Sequence, residues 1–287
     1  MSEFYLNWFT SDQKFPFFIQ YGFHDNDTDL HRHVDFSELV IVLSGTATHI
    51  VNTEESFIKK GNVFVINGST PHAFKDPQDF KICNIMYKPE MLSTAGPDLR
   101  TSNGFQALFV LEPLYRHKHA YTSKLSLPIP MLEFVTALIA GMIEEYSHKL
   151  QGYQTLLVSR FMELVVYLSR HYEKQDKGSQ DNHLIHLAKS LSFMEDHYLE
   201  TLSLDQIAAH AGISVRHLNR IFRSYYQTTP ISYLHRLRLE RACSLLKHSN
   251  FSITQISHES GFSDSNYFTR QFTKTYGMSP KAYRKKL

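Results

Sequence analysis

Two segments in the last third of this 287-residue chain repeat one another, and the repeat leaves little choice of fold. Ser203-Leu204-x-x-Ile207-Ala208-x-x-x-Gly212-Ile213-Ser214 matches Ser252-Ile253-x-x-Ile256-Ser257-x-x-x-Gly261-Phe262-Ser263. Leu218-x-Arg220-x-Phe222 then matches Phe268-x-Arg270-x-Phe272, and Thr229-Pro230-x-x-Tyr233 matches Ser279-Pro280-x-x-Tyr283. The offset is 49 residues before the turn and 50 after it, so the second copy holds one extra residue in its turn. Gly212 and Gly261 stand where a helix must end and the chain reverse, a place that asks for a left-handed residue. Ser214 and Ser263 are placed to cap the helix that follows, and the two [ST]-Pro pairs to open another. Each copy therefore reads as helix, tight turn, helix.

The second helix of each copy has two unlike faces. Leu218, Ile221, Phe222 and Tyr225 point to a core, while Arg216, Asn219, Arg220 and Arg223 recur at helical spacing on the other side. In the second copy Phe268, Phe272 and Tyr276 are the core residues, and Asn266, Thr269, Arg270 and Thr273 repeat the polar spacing. Arg and Asn are the side chains that bond guanine and adenine edges bidentately. One such face would equally fit a solvated bundle. Two copies, with Arg at the equivalent position, favour DNA. Charge points the same way: residues 184–287 carry 14 Lys and Arg against 7 Asp and Glu, whereas 1–183 carry 16 against 21. Between the copies, a helix over 231–247 would span about 25 Å and could hold two reading helices about one DNA turn apart. Its Arg236, Arg238 and Arg241 are candidates for phosphate contact, or for plain solvated surface.

These residues closely resemble the C-terminal DNA-binding domain of the AraC/XylS family of transcription regulators, over 187–287. The run GFSDSNYFTRQFTKTYGMSPKAYR is the most specific part. The resemblance implies base-facing roles for Arg216, Asn219 and Arg220 in the first unit, and for Ser265, Asn266, Tyr267, Thr269 and Arg270 in the second. It also implies a double-stranded DNA operator, contact with RNA polymerase, a homodimer and a small-molecule effector. One departure stands out. The family usually has Gly where the first copy has Gln227, while the second copy keeps Gly277, so the first reading helix is expected to end differently.

Residues 17–87 carry a different pattern: short β-branched and aromatic runs punctuated by turn residues, as in a small barrel or sandwich. Within them, His31-x-His33-x4-Glu38-x6-Gly45 is followed by Gly61-x5-Asn67-x-Ser69-x2-His72. This resembles the two cupin motifs, with the second degraded at Asn67, Ser69 and Asp76. His31, His33, Glu38 and His72 are the candidate effector-binding residues. We place a sugar or other small polar effector first. A divalent metal held by the same four side chains comes second, then a cupin-type metalloenzyme with a DNA-binding appendage; polar residues bonding each other at a barrel mouth would be the structural explanation. No cofactor is required by the first reading. Within the family, overall arrangement and the runs HRHVDFSELVIVLSGTATHIV and FKICNIMY are most similar to the L-rhamnose-operon activators.

From about Met131 the periodicity turns helical. Leu132, Val135, Ile139, Met142 and Tyr146 form one stripe, and Leu157, Phe161, Leu164 and Leu168 another. The second stripe fits either a seam between protomers or packing against the barrel. A polar stretch, EKQDKGSQDNH, follows. The expected organisation is thus α+β: a cupin-like effector-binding and dimerisation domain over 1–172 (barrel about 15–90, helices about 131–172), a linker over 173–183, and an all-α domain of two helix-turn-helix units over 184–287. Two cysteines imply no disulfide framework and suit a reducing cytoplasm. The longest apolar run, Phe134 to Ile143, is about half a membrane span, and MSEFYLNWFT has no signal-peptide pattern. No membrane partner and no catalytic residues are expected.

Overall fold

The computed structural model describes residues 1–10, 12, 14–52, 54–66, 70–111, 125–175 and 183–286. Its contacts divide the chain into two compact units, Met1–Gln180 and Asp181–Leu287. Of the expected linker, residues 176–182 lie outside the described residues, as do Asn67 and Ser69 of the second cupin-like motif.

The first unit is built on an eight-stranded sheet of β1 (Ser2–Phe4), β2 (Phe17–His24), β3 (His31–His33), β4 (Ser37–Val51), β5 (Glu54–Lys59), β6 (Asn62–Ile66), β7 (His72–Tyr87) and β8 (Leu125–Ser126). The order is β1-β3-β7-β4-β6-β8, with β2 also on β7 and β5 also on β4. The two long strands pair with each other along their lengths, from Ser37↔Tyr87 to Val51↔His72. Register shifts between Val42 and Thr48 bend β4, so its first half pairs with β6 and its second with β5. Gly45 makes the bend possible. Its φ is +70°, and a Cβ there would collide with the carbonyls of Gln78 and Asp79.

Residues 38–42 of β4 are buried without alternation, because both faces of the strand are covered. Val40, Val42, Phe64, Ile66, Phe74, Phe80 and Ile82 fill the barrel. The opposite face meets α1 (Ile129–His148) and α2 (Tyr153–Gln175). Phe161 of α2 lies 5.6 Å from Phe17 and 4.9 Å from Tyr87, ring centre to ring centre. Leu157, Phe161, Leu164 and Leu168 are all wholly buried within this unit. Phe161 packs on the barrel strands and the helix also packs along α1, so of the two readings left open by the spacing, packing within the unit is the one the burial supports. Spacing reports an apolar face, not the surface that covers it.

The second unit is all helical: α3 (His183–His197), α4 (Leu204–His210), α5 (Val215–Tyr226), α6 (Pro230–His248), α7 (Ile253–Glu259), α8 (Ser265–Tyr276) and α9 (Pro280–Lys286). α4 and α7 open with identical capping boxes, Ser203 with Gln206 and Ser252 with Gln255. Thr229 caps α6, with Pro230 at its first position. α5 is capped by Ser214, as expected, but α8 is capped by Asp264 rather than Ser263. The extra residue in the second turn moves the capping site one place along, so Asp264 is the true counterpart of Ser214.

Candidate nucleic-acid interface and barrel site

Each reading helix is anchored by its apolar stripe. Leu218, Ile221 and Phe222 of α5 and Phe268 and Phe272 of α8 are buried, while Tyr225 and Tyr276 are half-buried. The polar stripes then face out. Arg216, Arg220 and Arg223 are exposed, and Asn219 is half-buried, its Nδ2 donating to the Val215 carbonyl at 3.1 Å. Arg220 Nη2 lies 3.1 Å from His217 Nε2. On α8, Asn266, Arg270 and Thr273 are exposed at one-turn intervals. Ser265 and Thr269 are half-buried, and the Thr269 hydroxyl donates to the Ser265 carbonyl at 2.8 Å.

Tyr267 is placed differently from its neighbours. Its ring is half-buried, edge-on to His235 at 5.5 Å, and the Arg270 guanidinium sits 5.9 Å from it. Of the sequence candidates, Arg216, Arg220, Asn266 and Arg270 are thus exposed, and Asn219, Ser265, Tyr267 and Thr269 half-buried. The phosphate reading of Arg238 fails: this side chain is only 9% exposed and bonded to backbone carbonyls, whereas Arg236 and Arg241 are exposed.

The four barrel residues do converge. His31 and His72 stand opposite each other on β3 and β7, and Glu38 lies on β4. Glu38 Oε2 is 3.6 Å from His33 Nε2 and 3.7 Å from His72 Nε2. One nitrogen from each of His31, His33 and His72 lies within 4.8 Å of the others. His33, Glu38 and His72 are buried, and His31 is half-buried with its ring 4.6 Å from Phe4. Phe36 stacks on His33 at 4.3 Å.

Burial pushes the His33 imidazole down to about 3, against the opposing charge of Glu38. Burial also works against the Glu38 carboxylate, but the surrounding imidazoles outweigh it and hold the group below its ordinary range. Three imidazoles beside a carboxylate form a donor set that suits a divalent transition metal. Such an ion would be held by His31, His33, Glu38 and His72. Among the described residues the buried Nδ1 of His33 has no hydrogen-bond partner, the outer bond that usually fixes the orientation of a metal-ligating ring.

Comparison with known proteins joins the two sites. Residues 207–286 match the helix-turn-helix domain family and residues 21–85 the cupin domain family. The HTH-type transcriptional activator RhaS of Escherichia fergusonii is 32% identical over 257 residues, covering 88% of this chain and 86% of that protein. The chain belongs to the AraC/XylS family of transcription regulators. A second relative, the HTH-type transcriptional activator RhaR of Mannheimia succiniciproducens, is 27% identical over 97% of this chain and 94% of its own length. An AraC-type DNA-binding domain-containing regulator from Chromobacterium violaceum is similar in solved structure, at 37% identity over 35% of this chain and 90% of that one, with a TM-score of 0.34.

α5 and α8, which carry the exposed arginines, both lie within the stretch that matches the helix-turn-helix domain family. Among the described residues no helix is long and apolar enough to cross a membrane. The sequence reading missed two barrel histidines. His49 is wholly buried, stacked on Phe64 at 4.6 Å and 6.0 Å from His72. His24 lies 5.7 Å from Phe74, and burial lowers its pKa. Neither belongs to a spaced motif. Only strand register, with His49 opposite Phe74 and His24 opposite Phe80, places them.

Proposed function

We propose that this protein is a sugar-responsive transcription activator, a sensor rather than a catalyst, acting on DNA in the cytoplasm as a homodimer. L-Rhamnose is the first candidate effector, followed by other deoxy sugars and aldopentoses. The observation that carries this reading is the relation to RhaS across both units at once, which is what a regulator needs and an enzyme with an appended DNA-binding domain does not. In this reading Arg216, Asn219 and Arg220 of α5, and Ser265, Asn266, Tyr267, Thr269 and Arg270 of α8, form the surface toward bases. RNA polymerase is the further partner an activator requires.

The effector is taken up beside His31, the cluster member that solvent reaches, with His33, Glu38 and His72 behind it. Sugar recognition uses converging hydrogen-bond groups next to aromatic surface, and Phe4 and Phe36 supply the rings. A second reading rests on one observation, the three imidazole nitrogens within 4.8 Å of one another: the cluster holds a divalent metal.

One screen separates them. Metal-stripped protein is melted against a panel of sugars and against Zn, Fe and Mn salts. A ligand at a hundredfold excess over its dissociation constant stabilises by about 2.7 kcal/mol. The sugar reading expects one clear stabiliser among the sugars, lost in His33→Ala. Stabilisation by metal alone, with stoichiometric metal in the purified protein, would replace it and leave DNA binding untouched.

A further inference from the structure

Arg238 sits midway along α6, the helix that joins the two helix-turn-helix units, and is 9% exposed. Its Nε donates to the Tyr198 carbonyl at 2.7 Å and its Nη2 to the Glu200 carbonyl at 2.6 Å. Both acceptors lie in the corner after α3, which leads into the first helix-turn-helix. The same guanidinium lies 5.8 Å from the ring of Phe262, in the turn of the second helix-turn-helix. Gly261, next to Phe262, has φ +87°, and a Cβ there would come within 2.7 Å of the Tyr198 carbonyl oxygen and 3.0 Å of Arg238 Nε. The corner before the first helix-turn-helix and the turn of the second therefore abut, with Arg238 between them. One turn back on α6, His235 stacks on Phe262 at 5.7 Å and meets Tyr267 of α8 at 5.5 Å.

A guanidinium taken out of water with two carbonyls as hydrogen-bond partners is a poor source of stability, since an apolar side chain of similar volume would be cheaper to bury. What it supplies is direction. A planar fork with two donors engaged fixes both the distance and the angle between the parts it joins. Those parts carry α5 on one side and α8 on the other.

We propose that Arg238 is a positioning residue that sets the separation and phase of the two reading helices, so that the protein accepts one spacing between the halves of its DNA site. The inference rests on the reading of α5 and α8 as the helices that meet DNA. It assigns Arg238 no contact with DNA itself.

The test uses the full chain and an operator selected by it from random DNA, with versions carrying one base pair more or fewer between the half-sites. One base pair turns the second half-site by about 35° and moves it about 3.4 Å. Wild-type protein should lose at least about tenfold in affinity on either altered operator. In Arg238→Met, checked for folding by circular dichroism, the ratio of native to altered affinity should fall below about threefold. Arg238→Lys, whose single ammonium lacks the fork, should fall between, which a merely destabilised domain would not produce. If Arg238→Met does not fold, Arg238→Lys carries the comparison. A wild-type protein that tolerates altered spacing, or a folded variant that keeps the full penalty, overturns the proposal. Arg220→Ala and Arg270→Ala are measured alongside on the native operator. Unchanged binding by both would remove the helices as readers, a result distinct from failure of the spacing test.

Discussion

Gln227 and Gly277 end the two reading helices in the same left-handed conformation, with φ of 54° and 72°. Each backbone N–H donates back to a residue of the last turn, Arg223 and Thr273 respectively. The departure from the family pattern at Gln227 therefore does not change how α5 ends. The chain must turn at this point to reach the Thr229-Pro230 cap of the next helix, and a glutamine is held where a glycine would rest.

A non-glycine residue in this region carries strain of about 1 kcal/mol or somewhat more, and glycine gives part of that back through a more flexible unfolded chain. Gln227→Gly should thus stabilise the second unit by about 0.5–1 kcal/mol, a rise of several degrees in its melting temperature. Gly277→Gln should lower it by a similar amount. Melting curves of the two variants decide the matter. A Gln227→Gly variant less stable than wild type would mean that the Gln227 side chain, whose Nε2 donates to the Ser224 carbonyl, outweighs the backbone strain.

The equivalent positions of Arg220 and Arg270 lead to a matched pair of binding predictions. Both are exposed, with Arg216 one turn before Arg220 and Asn266 one turn before Arg270 on the same face. Arg220→Ala and Arg270→Ala should each cost about 1–3 kcal/mol of specific affinity. Each should relax base preference in a different half of the site, with the halves about 10 base pairs apart. Selection of random DNA by each variant, followed by sequencing, shows which half has lost its preference. Relaxation in the same half for both would mean that the two helices do not read separate grooves.

How far the sequence shows this architecture depends on how local each signal is. The caps, the turn glycines and the two-faced helices of the second unit are determined within a few residues, and the structure keeps them with a one-place shift at Asp264. The convergence of His31, His33, Glu38 and His72 also survives, because alternate positions on a strand must share a face. What stays hidden is set by residues far along the chain. Arg238 looks like one more surface arginine until Tyr198 and Glu200, some 40 positions away, are placed beside it. The stripe ending at Leu168 is plainly apolar, but nothing within it says that Phe17 and Tyr87 meet its Phe161.

That covered stripe separates the two readings its spacing left open. Phe161 is wholly buried between strands β2 and β7 and α2 itself. Phe161→Ala should destabilise the first unit by about 3–5 kcal/mol, through lost burial and a cavity that neighbouring rings cannot close. Its oligomeric state, measured by sedimentation at a temperature where it remains folded, should equal that of wild type. A well-folded variant that dissociates would restore the stripe to an interface.

The buried histidines predict how the metal-free first unit responds to acid. The unfolded chain takes up a proton on each imidazole near its ordinary value of about 6.5. In the folded chain burial keeps His33 neutral down to about 3, and lowers His24 and His31 as well. Between those limits the unfolded state binds more protons, so stability must rise with pH and fall as acid is added. Glu38, held below its ordinary range, adds a loss in the same direction once pH drops below the carboxylate value of the unfolded chain. Chelator-treated protein should therefore melt at steadily lower temperature from about pH 6.5 toward pH 3. His33→Gln should flatten the upper part of that slope, because it removes a proton site that only the unfolded state can use. Melting temperatures taken at half-unit intervals for wild type and His33→Gln provide the check, and superimposable slopes would mean that His33 is not the group kept neutral by the fold.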